Sequence, residues 1–257
     1  CALPISLLVR TMGPEGQSVE IVNLQDGSSQ AVFKENFRRI LWLAFSENKD
    51  EAAFVALPLA GDPILFKHHF TDYSTDTLVN VAQGHYPIFF DKNLNVVAGE
   101  KIDPSTSDKR LDYYKNGKWK SFESYEWSPE RFLRPGLKSI VSVDEDGSKI
   151  YYTDNSATDK TVLKVFNPKS KKSKTLLKEQ TSDLMVNTFR ASSDGSPIAM
   201  ANHYSKRKWH VVDSKYDDDF DFLNEYLNDF QILDATPDLN FWVVEEMNGG
   251  ANISYLY

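Results

Sequence analysis

The sequence predicts an all-β fold of repeated antiparallel sheets, and three observations predict it. A short turn of Asp, Asn, Gly, Ser and Lys followed by a run of β-formers recurs five times: at 47–57 (ENKDEAAFVAL), 91–98 (DKNLNVVA), 144–152 (DEDGSKIYY), 193–201 (SDGSPIAMA) and 237–245 (PDLNFWVVE). The steps between matching turn residues are nearly constant, 44 from Lys49 to Asn93, 54 on to Gly147, 48 on to Gly195 and 45 on to Asn240. A second β-run then follows each first one in register, at 64–70, 110–114, 162–166, 209–213 and 253–257. A strand-only repeat of roughly 40 to 50 residues is the signature of a β-propeller, in which each four-stranded blade buries its faces on its neighbours.

In chain order, the first five residues, CALPI, match one reading frame of a common sequencing adapter and are expected to be non-native. A lipidated bacterial Cys1 is the competing account, but such anchors lead into polar linkers, whereas here strand-like residues 6–11 follow at once. Residues 18–24, the turn Asp26-Gly27 and residues 30–34 read as the outer strands of a blade with an incomplete inner strand. The five first runs are then second strands of blades and the five later runs third strands. Asn116-Gly117 is a strong hairpin signal and makes 118–122 (KWKSF) a fourth strand. Lys169 to Lys174 (KSKKSK), between Asn167-Pro168 and the β-run 175–177, is expected to be a solvated hairpin tip. One segment breaks the β pattern. Asp217-Asp218-Asp219 followed by Phe220, Leu223, Tyr226 and Leu227 predicts a short inserted helix over 217–227, with the acids exposed at its start. The chain ends on Tyr255-Leu256-Tyr257 in mid-blade. The expectation is an incomplete β-propeller over residues 6–257, about four blades plus partial ones, truncated at both ends.

Composition narrows the function. In 257 residues, 41% hydrophobic and 13% aromatic, there is enough apolar matter for a substantial core. A net charge of −8 argues against nucleic acid or an anionic membrane as partner, since phosphate is held by clustered Lys and Arg. No apolar stretch approaches the roughly 20 residues that span a bilayer. Cys1 is the single cysteine, so neither an internal disulfide nor a cysteine metal site is expected.

Glycine spacing removes several catalytic motifs. No two of the twelve glycines are four apart, so there is no G-x-S-x-G nucleophile elbow, and none are two or five apart, which removes the dinucleotide and phosphate-loop fingerprints. No histidine opens an H-E-x-x-H helix, and His68 and His69 are strand neighbours pointing to opposite faces. Asp144-Glu145-Asp146-Gly147 has the look of a calcium loop, yet Lys149 and Asn155 occupy the positions where an EF-hand requires Gly and an acid; a D-G turn accounts for it better. The acids Asp217 to Asp219 are read as helix-start partners and not as metal ligands. Asn252-Ile253-Ser254 matches a glycosylation sequon only formally. No residue is assigned as catalytic, cofactor-binding or metal-binding, and no cofactor is expected.

The stretch 208–257 carries a resemblance. It reads Lys208-Trp209-His210-Val211-Val212-Asp213, Asp219-Phe220 and Leu223, Asp229-Phe230-Gln231-Ile232, Asp238, Trp242-Val243-Val244 and Ser254-Tyr255-Leu256-Tyr257. This order resembles the last part of the propeller in bacterial members of the prolyl oligopeptidase (S9) family, in the branch akin to dipeptidyl and acylaminoacyl peptidases. Residues 37–207 share only the generic blade pattern. The chain departs from the family in having residues 234–240 (DATPDLN) where the family tends to S-R-S-x-D-D, and in lacking Gly ahead of Asp229.

The resemblance implies a non-catalytic propeller that gates entry of short peptides to a C-terminal α/β-hydrolase domain of the same parent chain. The compartment stays open, with a bacterial periplasmic or secreted location favoured over the cytoplasm. The alternative is a free-standing binding propeller, similar to TolB or to an adaptor scaffold. WD40 repeats are disfavoured because none of the five Trp is followed by Asp, and kelch repeats because Gly249-Gly250 occurs once. A propeller glycosidase stays open, though no spacing selects a carboxylate pair.

Overall fold

Runs such as Ala52-Ala53-Phe54-Val55-Ala56 carry no polar alternation, which is what a strand covered on both faces requires. In the computed structural model of the chain, which describes residues 6–13, 16–32, 37–46, 50–58, 61, 63–78, 83–126, 138–156, 160–180, 182–190, 195–203, 206–236, 238–248 and 251–257, these runs are central strands of antiparallel sheets.

Sheet 1 consists of β1 (Ser6–Gly13), β2 (Gly16–Asn23) and β3 (Ser29–Ala31); sheet 2 of β4 (Arg39–Phe45), β5 (Glu51–Leu57), β6 (Ile64–His69) and β7 (Thr75–Thr77). Sheet 3 consists of β8 (His85–Phe90), β9 (Val96–Ile102), β10 (Lys109–Lys115) and β11 (Lys118–Tyr125); sheet 4 of β12 (Ser139–Val143), β13 (Ile150–Asp154), β14 (Val162–Asn167) and β15 (Lys172–Lys178). Sheet 5 consists of β16 (Leu184–Arg190), β17 (Pro197–His203) and β18 (Arg207–Val211); sheet 6 of β19 (Phe230–Ala235), β20 (Trp242–Asn248) and β21 (Ala251–Leu256). Every sheet is a meander in which sequence neighbours pair. This is the predicted fold class, an incomplete β-propeller, with three sheets of four strands and three of three among the described residues.

The chain divides into two compact units, 1–96 and 97–257. In the first, β5 turns Ala52, Phe54 and Ala56 towards Val19, Ile21, Phe37 and Ile40, and Ala53 and Val55 towards Ile88 and Leu94 on its other side. In the second, Val141, Tyr151 and Leu163 of sheet 4 meet Leu184 and Met200 of sheet 5. Ala199, Ala201 and Trp209 of sheet 5 meet Phe230, Trp242 and Val244 of sheet 6. A central strand buried on both faces, with each fully buried large side chain contributing about 1.5–3 kcal/mol, is the energetic basis of the blade repeat.

The predicted helix is present as α1 (Asp217–Tyr226), entered through a 3-10 turn at Ser214–Tyr216. Phe220 and Leu223 are buried and Leu227 packs against the same core, as the spacing requires. Asp217 and Asp218 are exposed, but Asp219 is half-buried because its carboxylate accepts the Tyr257 hydroxyl at 3.1 Å. The run at 209–213 also departs from expectation. Strand β18 ends at Val211, because the amides of Val212 and Asp213 both turn to the carbonyl of Ile198 and the Asp213 carboxylate caps the 3-10 turn. Within the recurring turns, Glu47 to Lys49, Ser193, Asp194 and Pro237 lie outside the described residues, as do residues 1–5, Gly136 and the pair Gly249-Gly250.

Candidate functional site

The densest buried chemistry lies in the second unit, where sheets 3 and 4 meet. Aromatic rings carry part of that contact: Phe122 stacks on Phe166 with centroids 4.4 Å apart, and Tyr113 and Tyr152 close around the pair. Beside them run three carboxylates and three ammonium groups. Lys138, only 4% exposed, precedes β12 and donates to Glu123 Oε2 of β11 at 2.7 Å; its Nζ also lies 3.5 Å from Asp154 Oδ1 at the end of β13. Lys164 of β14 donates to Asp154 Oδ2 at 2.5 Å, and the Ser156 amide and hydroxyl donate to Oδ1. Glu100 of β9 accepts from the Ser139 hydroxyl (2.7 Å) and the Ile140 amide (2.6 Å), and its other oxygen pairs with Lys109 at 2.5 Å.

The electrostatics follow from this saturation. Burial by itself would raise the Asp154 carboxyl, but the bond from Lys164, the Ser156 donors and the nearby Lys138 outweigh it and bring its pKa down to about 2. Burial raises the Tyr152 phenol and the Glu123 carboxylate adds to it, while Ser173, 2.9 Å away, opposes. A general acid or base needs a pKa near the working pH. Around neutral pH Asp154 is an anion and Tyr152 a phenol, and the arrangement joins two blades through compensated charge. Sequence reading missed the clasp, since its partners are strangers in sequence: Glu100 and Ile140 are 40 positions apart.

The histidines behave as separate groups. His68 is buried, with Nδ1 2.8 Å from the Thr75 hydroxyl and Nε2 lacking a partner. His69 points to the other face, between Glu51 (2.8 Å) and Asp76 (3.2 Å). His85 is buried, and His210 Nδ1 lies 3.3 Å from Glu179. The side chains of His203, Asn252 and Ser254 lie outside the described residues. Among the described residues, no three His, Cys, Asp or Glu side chains gather in a way suited to a metal ion.

Asp144 to Gly147 form a turn, with Asp144 accepting from the Lys149 amide (2.7 Å) and the Ser148 hydroxyl (2.7 Å). Lys169 to Lys171 occupy the exposed β14–β15 hairpin tip, whose amides bond the Asn167 side chain. A local signal was also present and unread. Among the described residues, Asp-x-Ser occurs at Asp26, Asp72, Asp103, Asp146 and Asp154, and in each the carboxylate accepts the Ser amide at 2.8 to 3.0 Å, an Asx-turn. The Ser bonds hold the Asp26, Asp72, Asp103 and Asp146 carboxyls below their ordinary value.

No protein-family model matches this sequence, and no curated protein matches it. Solved structures do match. Pyrococcus horikoshii acylaminoacyl peptidase is similar at a TM-score of 0.58 and 11% identity, over 98% of this chain and 42% of that one. The β-propeller domain of the trilobed protease from Pyrococcus furiosus is similar at 0.56 and 10%, over 98% and 78%. TolB from Acinetobacter baumannii is similar at 0.53 and 11%, over 98% and 60%. The chain thus spans less than two thirds of the length of the TolB chain and less than half that of the acylaminoacyl peptidase chain. At such identities the likeness is one of fold: this chain is a β-propeller scaffold whose structural neighbours include propeller domains of prolyl-oligopeptidase-type peptidases and TolB.

Proposed function

We propose that this chain is the non-catalytic propeller of a serine peptidase of the prolyl oligopeptidase type, restricting access to an α/β-hydrolase domain encoded outside these 257 residues. The observation that carries this reading is the ordered run β18, α1, β19, β20 and β21, which presents Trp209-His210, Asp219-Phe220, Asp229-Phe230-Gln231-Ile232 and Ser254-Tyr255-Leu256-Tyr257 in the family's order. The helix follows β18 of the three-stranded sheet 5 and packs on its Trp209, where the repeat needed an insertion, which supports the reading. In this role the propeller contributes no nucleophile, acid or base. It acts as a steric filter that admits short peptides and keeps bulk water and folded proteins from the reacting groups.

The test is the product of the whole gene. Labelled with a fluorophosphonate probe, it should react at a serine beyond residue 257 and cleave short peptides faster than long ones, and deleting the propeller should erase that preference for length. A gene product without a reactive serine would favour the second reading, a binding propeller, for which the likeness to TolB speaks.

A further inference from the structure

Helix α1 has two faces, and the fold uses one of them. Phe220 and Leu223 are buried, whereas Asp217, Asp218, Asp221, Phe222, Glu225 and Tyr226 are all exposed. Phe222 and Tyr226 are 45% and 65% exposed, their rings 4.5 Å apart, and Phe222 also stacks on Tyr257 at 5.5 Å. The ledge of rings is therefore preformed. Helical geometry places Asp218 and Glu225 at the centre of this outer face, with Asp221 on one flank and the two rings on the other.

None of the ion pairs among the described residues involves these acids, and the helix contains no basic residue. Asp217, Asp221 and Glu225 form consecutive i,i+4 like-charge pairs that repel one another, and Glu225 stands in the last turn where the helix dipole disfavours an anion. Asp217 and Asp218 favour the helix start, but folding gains nothing from Asp221 and Glu225, which lie beyond the first turn, nor from the exposed faces of the rings. One kind of ligand relieves both.

We propose that the outer face of α1 docks a basic amphipathic segment of a partner protein, with Arg or Lys pairing to Asp218, Asp221 and Glu225 and apolar side chains covering Phe222 and Tyr226. Arginine suits the ledge doubly, because its guanidinium pairs with a carboxylate and stacks on an aromatic face. The exposed hairpin Lys169 to Lys174 of a second copy is a weaker occupant: it holds only Lys and Ser, so it neutralises the acids and leaves the rings in water. This docking does not depend on the peptidase reading.

The experiment is a fluorescence-anisotropy titration of the chain with a short labelled peptide of Arg and Leu at helical spacing. Its comparators carry Glu for every Arg, or Ser for every Leu. The Arg–Leu peptide should bind, and each comparator should bind about tenfold more weakly or worse, because charge and apolar cover are both required. F222S/Y226S should weaken binding about tenfold, and D218N/D221N/E225Q should weaken it and flatten its salt dependence. D26N/D72N/D103N, which removes three charges at turns of sheets 1, 2 and 3 while leaving amide oxygens to cap them, should bind as the parent does. Thermal melts of each variant separate loss of binding from loss of fold; if the ring variant unfolds, the amide triple variant decides. Equal weakening by the two triple variants would reduce the effect to bulk charge and overturn the proposal, as would undiminished binding by a folded ring variant. Salt-sensitive self-association in sedimentation, abolished by K169E/K171E/K172E/K174E, would assign the face to a second copy instead.

Discussion

Lys138 stands between Glu123 and Asp154 in a place where a lone charge would be intolerable, and the neutrality of the clasp rests on it. Lys138→Met would leave two carboxylates short of a cation at low exposure, which by analogy with broken buried pairs costs about 3–5 kcal/mol; urea unfolding midpoints would measure it. The acid limb of stability belongs to Asp154. Its folded pKa of about 2 lies below the ordinary 3.8, so its contribution is present above the ordinary value and is lost as pH falls from about 4 through 2. Unfolding midpoints followed over that range should drop in the parent protein and drop less steeply in Asp154→Asn. His210 acts at milder pH: burial pulls its pKa below 6.5 against the opposing Glu179 carboxylate and with the help of Lys208, so the native state prefers it neutral and loses that increment as pH falls below 6.5. Two turn glycines differ instructively. A Cβ on Gly195 would sit 2.2 Å from the Val143 carbonyl oxygen, a backbone atom, at φ +69°; one on Gly147 would meet the Val97 side chain, with Cγ2 at 2.7 Å and Cγ1 at 3.4 Å, a clash with side-chain atoms and not with backbone. Gly195→Ala should therefore lower the melting temperature more than Gly147→Ala, both costing at least about 1 kcal/mol for the positive φ.

At the scale of elements, α1 shows how one helix divides its labour. Phe220 is fully buried within 5.8 Å of Trp209 and 5.5 Å of Trp242, ring centre to ring centre, so Phe220→Ala should cost about 3–5 kcal/mol; Phe222→Ala, two positions on, should cost under about 0.5 kcal/mol. Chemical denaturation of the two variants side by side checks the contrast, and comparable losses would mean that the outer face is packed. Strands show a similar division. Second strands, and the fourth strand β11, were legible because each is announced by local chemistry, as at Asp91, which accepts the amides of Asn93 and Asn95 ahead of β9, or at Asn116-Gly117 with both residues at positive φ ahead of β11. First strands β4, β8, β12 and β16 were not read. The connections before them carry no recurring turn, and β8 contains Pro87, which in sequence argues against a strand. The first strand of the opening sheet, β1, pairs with β2 along its full length from Ser6 to Gly13, so that blade is fuller than its outer strands alone implied.

At the scale of the molecule, the prediction is one of partition between scaffold and chemistry. The purified 257-residue chain should not hydrolyse chromogenic dipeptide or acyl-amino-acid substrates, and the whole gene product should; serine-dependent turnover by the chain alone would require a site other than the one proposed. What the sequence by itself determined is local and periodic: turns where Asp, Asn and Gly stabilise reversal, strands where β-formers run unbroken, a helix where apolar residues fall at 3.6-residue spacing behind three acids. Those forces act within a few residues, so a reader of the chain can see them. What only the tertiary structure decided is who meets whom across blades. Glu100 finds Ile140 and Lys138 finds Glu123 because neighbouring sheets bring their strands together, and Ala53 faces different neighbours from Phe54 because β5 is covered on both sides. Charge burial, coverage of both faces and the exposure of Phe222 beside Asp218 are properties of packing, which depends on distances that the order of residues does not contain.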